Sequence, residues 1–154
     1  MISQTAEYAL RAIVFLADHP DQAHTAEAIA NGTRVPVGYL AKIMQILAKA
    51  GLVSSQRGLY GGFTLRRSPR ELTIYDVVQC IDPINRISRC PVDLESHGEG
   101  LCHLHKVLDD ALGLVERSFR QFTIHDLLVH EGDTRPLCDF KRKAKELEPA
   151  TPKR

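Results

Sequence analysis

Apolar positions open the chain at a helical period. Leu10, Ile13, Val14 and Ala17 recur at i, i+3, i+4 and i+7, and Ser3 stands where an N-cap belongs. The pattern predicts a helix over 3–18. After a polar loop with Pro20, a small helix opens at Thr25 and runs through AEAIA. The cluster NGTRVP predicts a turn, because Gly32 and Pro36 both break helices. Pro36 suits the first turn of the next helix, VGYLAKIMQILAKA, whose Leu40, Ile43, Leu47 and Ala50 share a face and which Gly51 stops. Two short strands, LVSSQR and GFTLRR, are joined through RGLYGG, a connection longer than a two-residue turn.

Thr73 with Asp76 spells a capping box for the helix TIYDVVQCI, which Asp82-Pro83 ends. Residues 84–101 carry neither period and predict an irregular loop. A long helix follows from about Cys102 to Phe122, with Leu104, Leu108, Ala111, Val115 and Phe119 near coiled-coil spacing. Thr123 and Asp126 repeat the capping box before the short helix IHDLLVH. The charged, Pro-containing tail over 131–154 predicts disorder. The fold class is therefore mainly α with a small β-hairpin: a winged helix-turn-helix over 1–83, a loop over 84–101, a dimerisation helix and following short helix over 102–130, and the tail.

Composition narrows the class of protein. The longest uninterrupted apolar run, AIVFLA at 12–17, falls far short of a membrane span, so no membrane association is expected. Glu7 and Arg11 stand where a signal peptide would need its apolar run. Four cysteines, at 80, 90, 102 and 138, are too scattered for a disulfide framework. These features predict a cytoplasmic protein. Its net charge of +1 hides an asymmetry: residues 1–70 sum to +4, 71–140 to −7 and the last fourteen to +4. No acidic residue occurs between Glu27 and Glu71, a window that holds Arg34, Lys42, Lys49, Arg57, Arg66, Arg67 and Arg70. Such a window sets up a local positive field for a polyanion.

Three helices and a hairpin in this order predict a winged helix-turn-helix, whose third helix enters the DNA major groove while the wing meets the flanking backbone. Gly38, Tyr39, Ala41 and Lys42 lie near the groove-facing end of the third helix. Lys42 is suited to guanine or phosphate, whereas Gly38 and Ala41 offer no bidentate base contact. Gly58, Gly61 and Gly62 make a slim wing, with Arg57 at its base and Arg66 and Arg67 at its return to neutralise phosphates. A helix-turn-helix also serves in protein-interaction adaptors, and that alternative stays open here. No nucleophile–base pair, phosphate-binding glycine loop or carboxylate pair marks an enzyme.

The stretches EYALRAIVFLA, VPVGYLAKIMQILAKAGLVSSQRGLYGGFTLRR and LTIYDVV resemble the Rrf-type winged-helix transcription regulators, the group that includes IscR, NsrR and CymR. The resemblance spans about residues 1–130. It implies a homodimer with crossed C-terminal helices that binds a palindromic double-stranded DNA operator, and the regulator is read here as a repressor. It also implies a sensing loop, which in cluster-binding members reads Cys-x5-Cys-x5-Cys. Here the loop is CPVDLESHGEGLCHLH, with Cys90 and Cys102 at the outer positions and Ser96, a poor iron ligand, at the middle one. His105 matches a histidine ligand of IscR-like 2Fe–2S sites. Glu7 matches a carboxylate supplied by the partner subunit in NsrR-like members.

The resemblance thus implies metal ligands Cys90, Cys102, His105 and Glu7 around a 2Fe–2S cluster, a donor set compatible with that cluster type. Alternatives read from the residues are a metal-free regulatory thiol pair, a zinc site, and a loop that senses nothing. A clusterless regulator gated by a metabolic partner protein is a further alternative. The alternative for Glu7 is a simple i,i+4 salt bridge with Arg11. Cys80 reads as a small buried apolar side chain, and Cys138 as incidental.

Overall fold

The computed structural model describes residues 2–58, 60–92 and 100–129. Helix α1 (Gln4–Asp18) forms the centre of the molecule. The Ser3 side chain accepts from the Ala6 N–H, so the cap stands where the pattern placed it. Ala6, Ala9 and the whole run 12–17 are buried, so this helix is packed on more than one face. Its four buried alanines let neighbouring backbones approach closely.

Helix α2 (Ala26–Thr33) is capped by Thr25, which accepts from the Ala28 N–H. It runs through Gly32, where a turn had been expected. A single glycine costs a helix only about 1 kcal/mol, and Thr33 Oγ1 donates back to the Ile29 carbonyl at 2.7 Å. The turn comes two residues later, at Arg34, whose φ of 55° is left-handed, and Val35 N–H closes the end on the Ala30 carbonyl. Helix α3 (Val37–Lys49) starts after Pro36 and buries Leu40, Ile43, Met44 and Leu47. Ala50, expected on that face, is the exposed C-cap, because the helix ends before it.

Strands β1 (Val53–Gln56) and β2 (Gly62–Leu65) pair antiparallel, with Val53 opposite Leu65 and Gln56 opposite Gly62. His24 bonds Phe63 through both backbone groups, at 3.0 and 2.8 Å, which fastens the wing to the loop between α1 and α2. Helix α4 (Ile74–Ile81) carries the complete Thr73/Asp76 capping box. Cys80, on its flank, is half-buried rather than buried; its thiol donates to the Val77 carbonyl, and desolvation is the main cause of its raised pKa.

Helix α5 (His103–Gln121) packs on α4 yet buries only Gly113 within this chain. Helix α6 (Ile124–Val129) then returns to α1, opened by the second capping box. Backbone bonds Ile74 N to Phe122 O and Ile124 N to Leu72 O clip the two capping boxes together. Ile124 is fully buried in the same core as Phe15, Leu16, Leu40 and Met44. Among the described residues no helix is long and apolar enough to cross a membrane. The expected tail over 131–154 lies outside the described residues, as do Ser96 and Cys138.

Because Ile124 fills the core of the winged helix, Ile124→Ala should cost about 2–5 kcal/mol of unfolding free energy, read by urea denaturation of the metal-free protein. A surface attachment of α6 would leave the transition within about 0.5 kcal/mol of the parent.

Candidate metal centre and nucleic-acid interface

The irregular segment after α4 returns one cysteine to the start of α5. Cys90 is buried, and its Sγ lies 3.9 Å from Cys102 Sγ and 3.4 Å from His105 Nδ1. Cys102 Sγ lies 3.1 Å from the same ring nitrogen. Cys102 is the N-cap of α5 and its thiol caps no backbone group; His105 follows one turn along. The three donor atoms all fall within 4.8 Å of one another.

Metal–sulfur bonds of about 2.3 Å and metal–nitrogen bonds of about 2.0–2.1 Å, at tetrahedral angles, hold neighbouring donors at roughly 3.3–3.8 Å. The observed spacings, 3.1–3.9 Å, straddle this range and lie close enough for donors to share one metal atom. Two thiolates and an imidazole are also the donor chemistry of a 2Fe–2S centre with mixed ligation. In donor chemistry the residues present fit such a group, in which at most two of the three would share one iron. Ligation needs both thiols deprotonated and the imidazole proton on Nε2.

Glu7 is not part of this group within the chain. Its Oε1 accepts from Arg11 Nε at 2.6 Å, and Arg11 also reaches the Thr33 carbonyl at 3.3 Å. Sequence reasoning missed the residue that fastens the loop. Arg86 Nε and Nη2 donate to the two oxygens of Asp109, each at 2.6 Å, and the Ile87 N–H adds a bond at 2.9 Å. Their separation of 23 positions gives no sequence period that would have linked them. The Arg86 side chain, chiefly, holds the Asp109 carboxyl at a lowered pKa of about 2, and the Ile87 N–H assists.

On the face expected to meet DNA, Gly38, Tyr39 and Lys42 are exposed and Ala41 is half-exposed. Tyr39 is 59% exposed. Gln45 and Lys49 continue the exposed face, and Gln45 has an amide suited to adenine; its i+3 spacing from Lys42 was the available signal. A Cβ at Gly38 would meet nothing within 4 Å, so the fold does not require glycine there. Gly61 and Gly62 differ, since a Cβ would come within 2.5 Å of the Gln56 carbonyl or 2.6 Å of the His24 backbone. Gly58 is held at φ 112°. Arg57, Arg66 and the wing-tip Tyr60 are exposed, Tyr60 at 89%. Arg67 turns away, bonding the Glu71 carbonyl and lying 3.6 Å from Asp76.

Comparison with known proteins adds the lineage. A sequence model of the family described as "Rrf2: Iron-dependent Transcriptional regulator" matches residues 2–130. A Rhodobacter capsulatus protein whose name carries the words "HTH-type transcriptional regulator rrf2-like" is 35% identical over 140 residues, covering 84% of this chain and 93% of the relative. The HTH-type transcriptional regulator NsrR of Shouchella clausii is 28% identical over 144 residues, covering 91% and 96%. Among solved structures, IscR of T. potens aligns with a TM-score of 0.69 at 24% identity, over 83% of this chain and 85% of that one.

A carboxyl held below its ordinary value contributes stability that is complete above the unfolded pKa. That contribution is lost as pH falls through the folded one. Acid titration of the metal-free protein should therefore show a component lost between about pH 4 and pH 2. Asp109→Asn should remove that component, as followed by circular dichroism; an unchanged acid limb would contradict the assignment.

Proposed function

Given that the chain belongs to the Rrf2 family and is a DNA-binding transcription regulator rather than an enzyme, we propose that it is a homodimeric, cytoplasmic repressor whose operator affinity follows the state of the Cys90/Cys102/His105 site. Membership sets aside the adaptor reading. The observation that carries the proposal is the convergence of two sulfurs and an imidazole nitrogen at the N-terminus of α5.

In this reading residues 1–83 bind DNA, 84–101 sense, 102–130 dimerise, and 131–154 form a charged tail. Leu104, Leu108 and Val115 are 63%, 46% and 42% exposed on α5, an apolar stripe that a second copy would cover. The operator contacts fall to Gly38, Tyr39, Ala41 and Lys42 on α3, and to Arg57, Gly58, Gly61, Gly62 and Arg66 on the wing. Gly38 supports close approach to DNA, since packing does not require its missing side chain.

Cys90, Cys102 and His105 would hold a 2Fe–2S cluster. Glu7 of the second copy would complete the set, provided its pair with Arg11 opens. Such a cluster supplies a one-electron redox couple and sensitivity to oxidants. The chain's part is mechanical: a change at the three ligands displaces the loop against α5 and α1 and alters the spacing of the two α3 helices. Operator half-sites lie about one helical turn apart, ~34 Å, so a small change in spacing matters. A coupling of ~1–3 kcal/mol changes affinity roughly 5- to 150-fold.

The 3.9 Å between the sulfurs favours one second reading, a thiol switch. The two thiols would lose two electrons and two protons to a small-molecule disulfide, forming the Cys90–Cys102 bond and releasing two small thiols.

Anaerobically purified protein should be coloured and carry about two iron and two sulfide per subunit if the cluster is bound, with Cys90→Ala and His105→Ala bleaching it. Colourless, iron-free protein after reconstitution with ferrous iron and sulfide would leave the thiol switch. For the DNA face, Lys42→Ala should weaken binding and make the log–log salt dependence shallower by about 1. An unchanged slope would remove Lys42 from the phosphate contacts.

A further inference from the structure

The segment from Pro83 to Cys90 is neither helix nor strand, so side chains must fix its position. Arg86 does most of this. Besides its double bond to Asp109, its Nη1 lies 3.6 Å from Glu116 Oε2. The guanidinium crosses α5 directly over Gly113, where a Cβ would come within 3.1 Å of Arg86 Cζ. Glycine in mid-helix is less favourable than alanine, and here it leaves the room that Arg86 occupies.

The contacts continue along α5. The other oxygen of Glu116, Oε1, accepts from Arg120 Nε and Nη2 at 3.1 and 2.9 Å. The Arg120 guanidinium in turn sits 3.5 Å above the ring of Tyr75. Tyr75 belongs to the first turn of α4, beside Asp76, which closes the Thr73 capping box and lies 3.6 Å from Arg67 at the return of the wing. One chain of contacts therefore runs from the metal-site loop to the base of the wing. Arg86 precedes Cys90 by four residues, and Asp109 follows His105 by one helical turn. Both sides of the thiol–imidazole site thus feed the same clamp.

We propose that Arg86, laid over Gly113 between Asp109 and Glu116, is the positioning residue through which the state of the Cys90/Cys102/His105 site reaches the winged helix. The proposal rests on the reading above that this site gates operator affinity. Displacement of the loop shifts Arg86 relative to Glu116, and Glu116 then redistributes between Arg86 and Arg120. Arg120 carries the change to Tyr75 and the capped start of α4. A contiguous network transmits coupling only where it has two arrangements, and the carboxylate between two cations supplies them.

The test compares wild type, Arg86→Lys and Gly113→Val as full-length proteins. Lysine keeps the charge and loses the fork; valine places carbon where the guanidinium lies. The probe is a fluorescent duplex selected from a random pool by the wild-type protein. Affinity is measured for protein stripped and reduced, reconstituted with ferrous iron and sulfide, and stripped then oxidised by diamide, which takes two electrons and two protons from the thiol pair. Visible absorption, thiol counts and thermal melting are recorded for every state.

Wild type should show a difference of about 5-fold or more between states. Either variant should reduce it to within twofold while keeping the wild-type absorption, thiol oxidation and folded spectrum. Variants that keep the wild-type ratio would overturn the role of Arg86 alone. Loss of the ratio together with the absorption or the oxidisable thiols would make Arg86 a builder of the site, also overturning it. Equal affinities in all wild-type states would overturn the gating reading, and this proposal with it. Should Arg86→Lys fail to fold, Gly113→Val decides the question, because it leaves every charge in place.

Discussion

Helix α1 has almost no face of its own for solvent, and every other part of the winged helix is arranged by that constraint. Its buried run over 12–17 exceeds the width of a single amphipathic stripe, so partners must cover it from several directions. Helices α2, α3, α4 and α6 and strand β2 all pack against it. Burial of this kind is worth about 25 cal/mol per Å² of apolar surface and has no preferred direction. Direction comes instead from hydrogen bonds at the element ends: the side-chain caps, the αL turn at Arg34, and the bridge between His24 and Phe63. Together they place α3 and the wing on one surface while the core holds both from behind.

Much of this was legible because it is local. Ser3, Thr25, Thr73 and Thr123 each cap a helix, and a cap is written within four residues of sequence. Cys90, Cys102 and His105 lie farther apart, and it was the family resemblance that made them readable as one group. Errors arose where tertiary context outweighed a local rule. Gly32 and the following Thr33 stay helical because Thr33 is buried and bonded to Ile29. Ala50 continued the apolar period and is nevertheless exposed, since the backbone has already left the helix.

What escaped notice is long-range and polar. The ion pair of Arg86 with Asp109 joins residues with no shared period, and Gly113 has no meaning until the guanidinium above it is seen. Tyr60 is an ordinary residue in sequence and becomes a candidate only through its exposure at the wing. Conversely, the wing glycines looked like a device for approaching phosphate. Two of them are fixed first by packing, against Gln56 and His24, so their presence alone says less about DNA than that of Gly38 does.

The distribution of stability also bears on regulation. The winged helix is closed by apolar packing, which is insensitive to small displacements until contacts are lost. The loop carrying Cys90 is held to α5 by charge and hydrogen bonds at a half-exposed surface, with Arg86 43% exposed and Asp109 14%. Ion pairs open to solvent on one side are screened and contribute modestly to global stability, so rearranging them costs little compared with opening the core. A sensor requires such a division, with a rigid part that presents the recognition surface and a weakly held part that chemistry can displace. Helix α5 touches both parts. Its polar face receives Arg86 and Arg120, while its exposed apolar stripe awaits a second copy in the proposed dimer. A change in the loop therefore meets the helix that would set the distance between two α3 helices, and a shift too small to disturb the core can alter how a pair of them fits DNA.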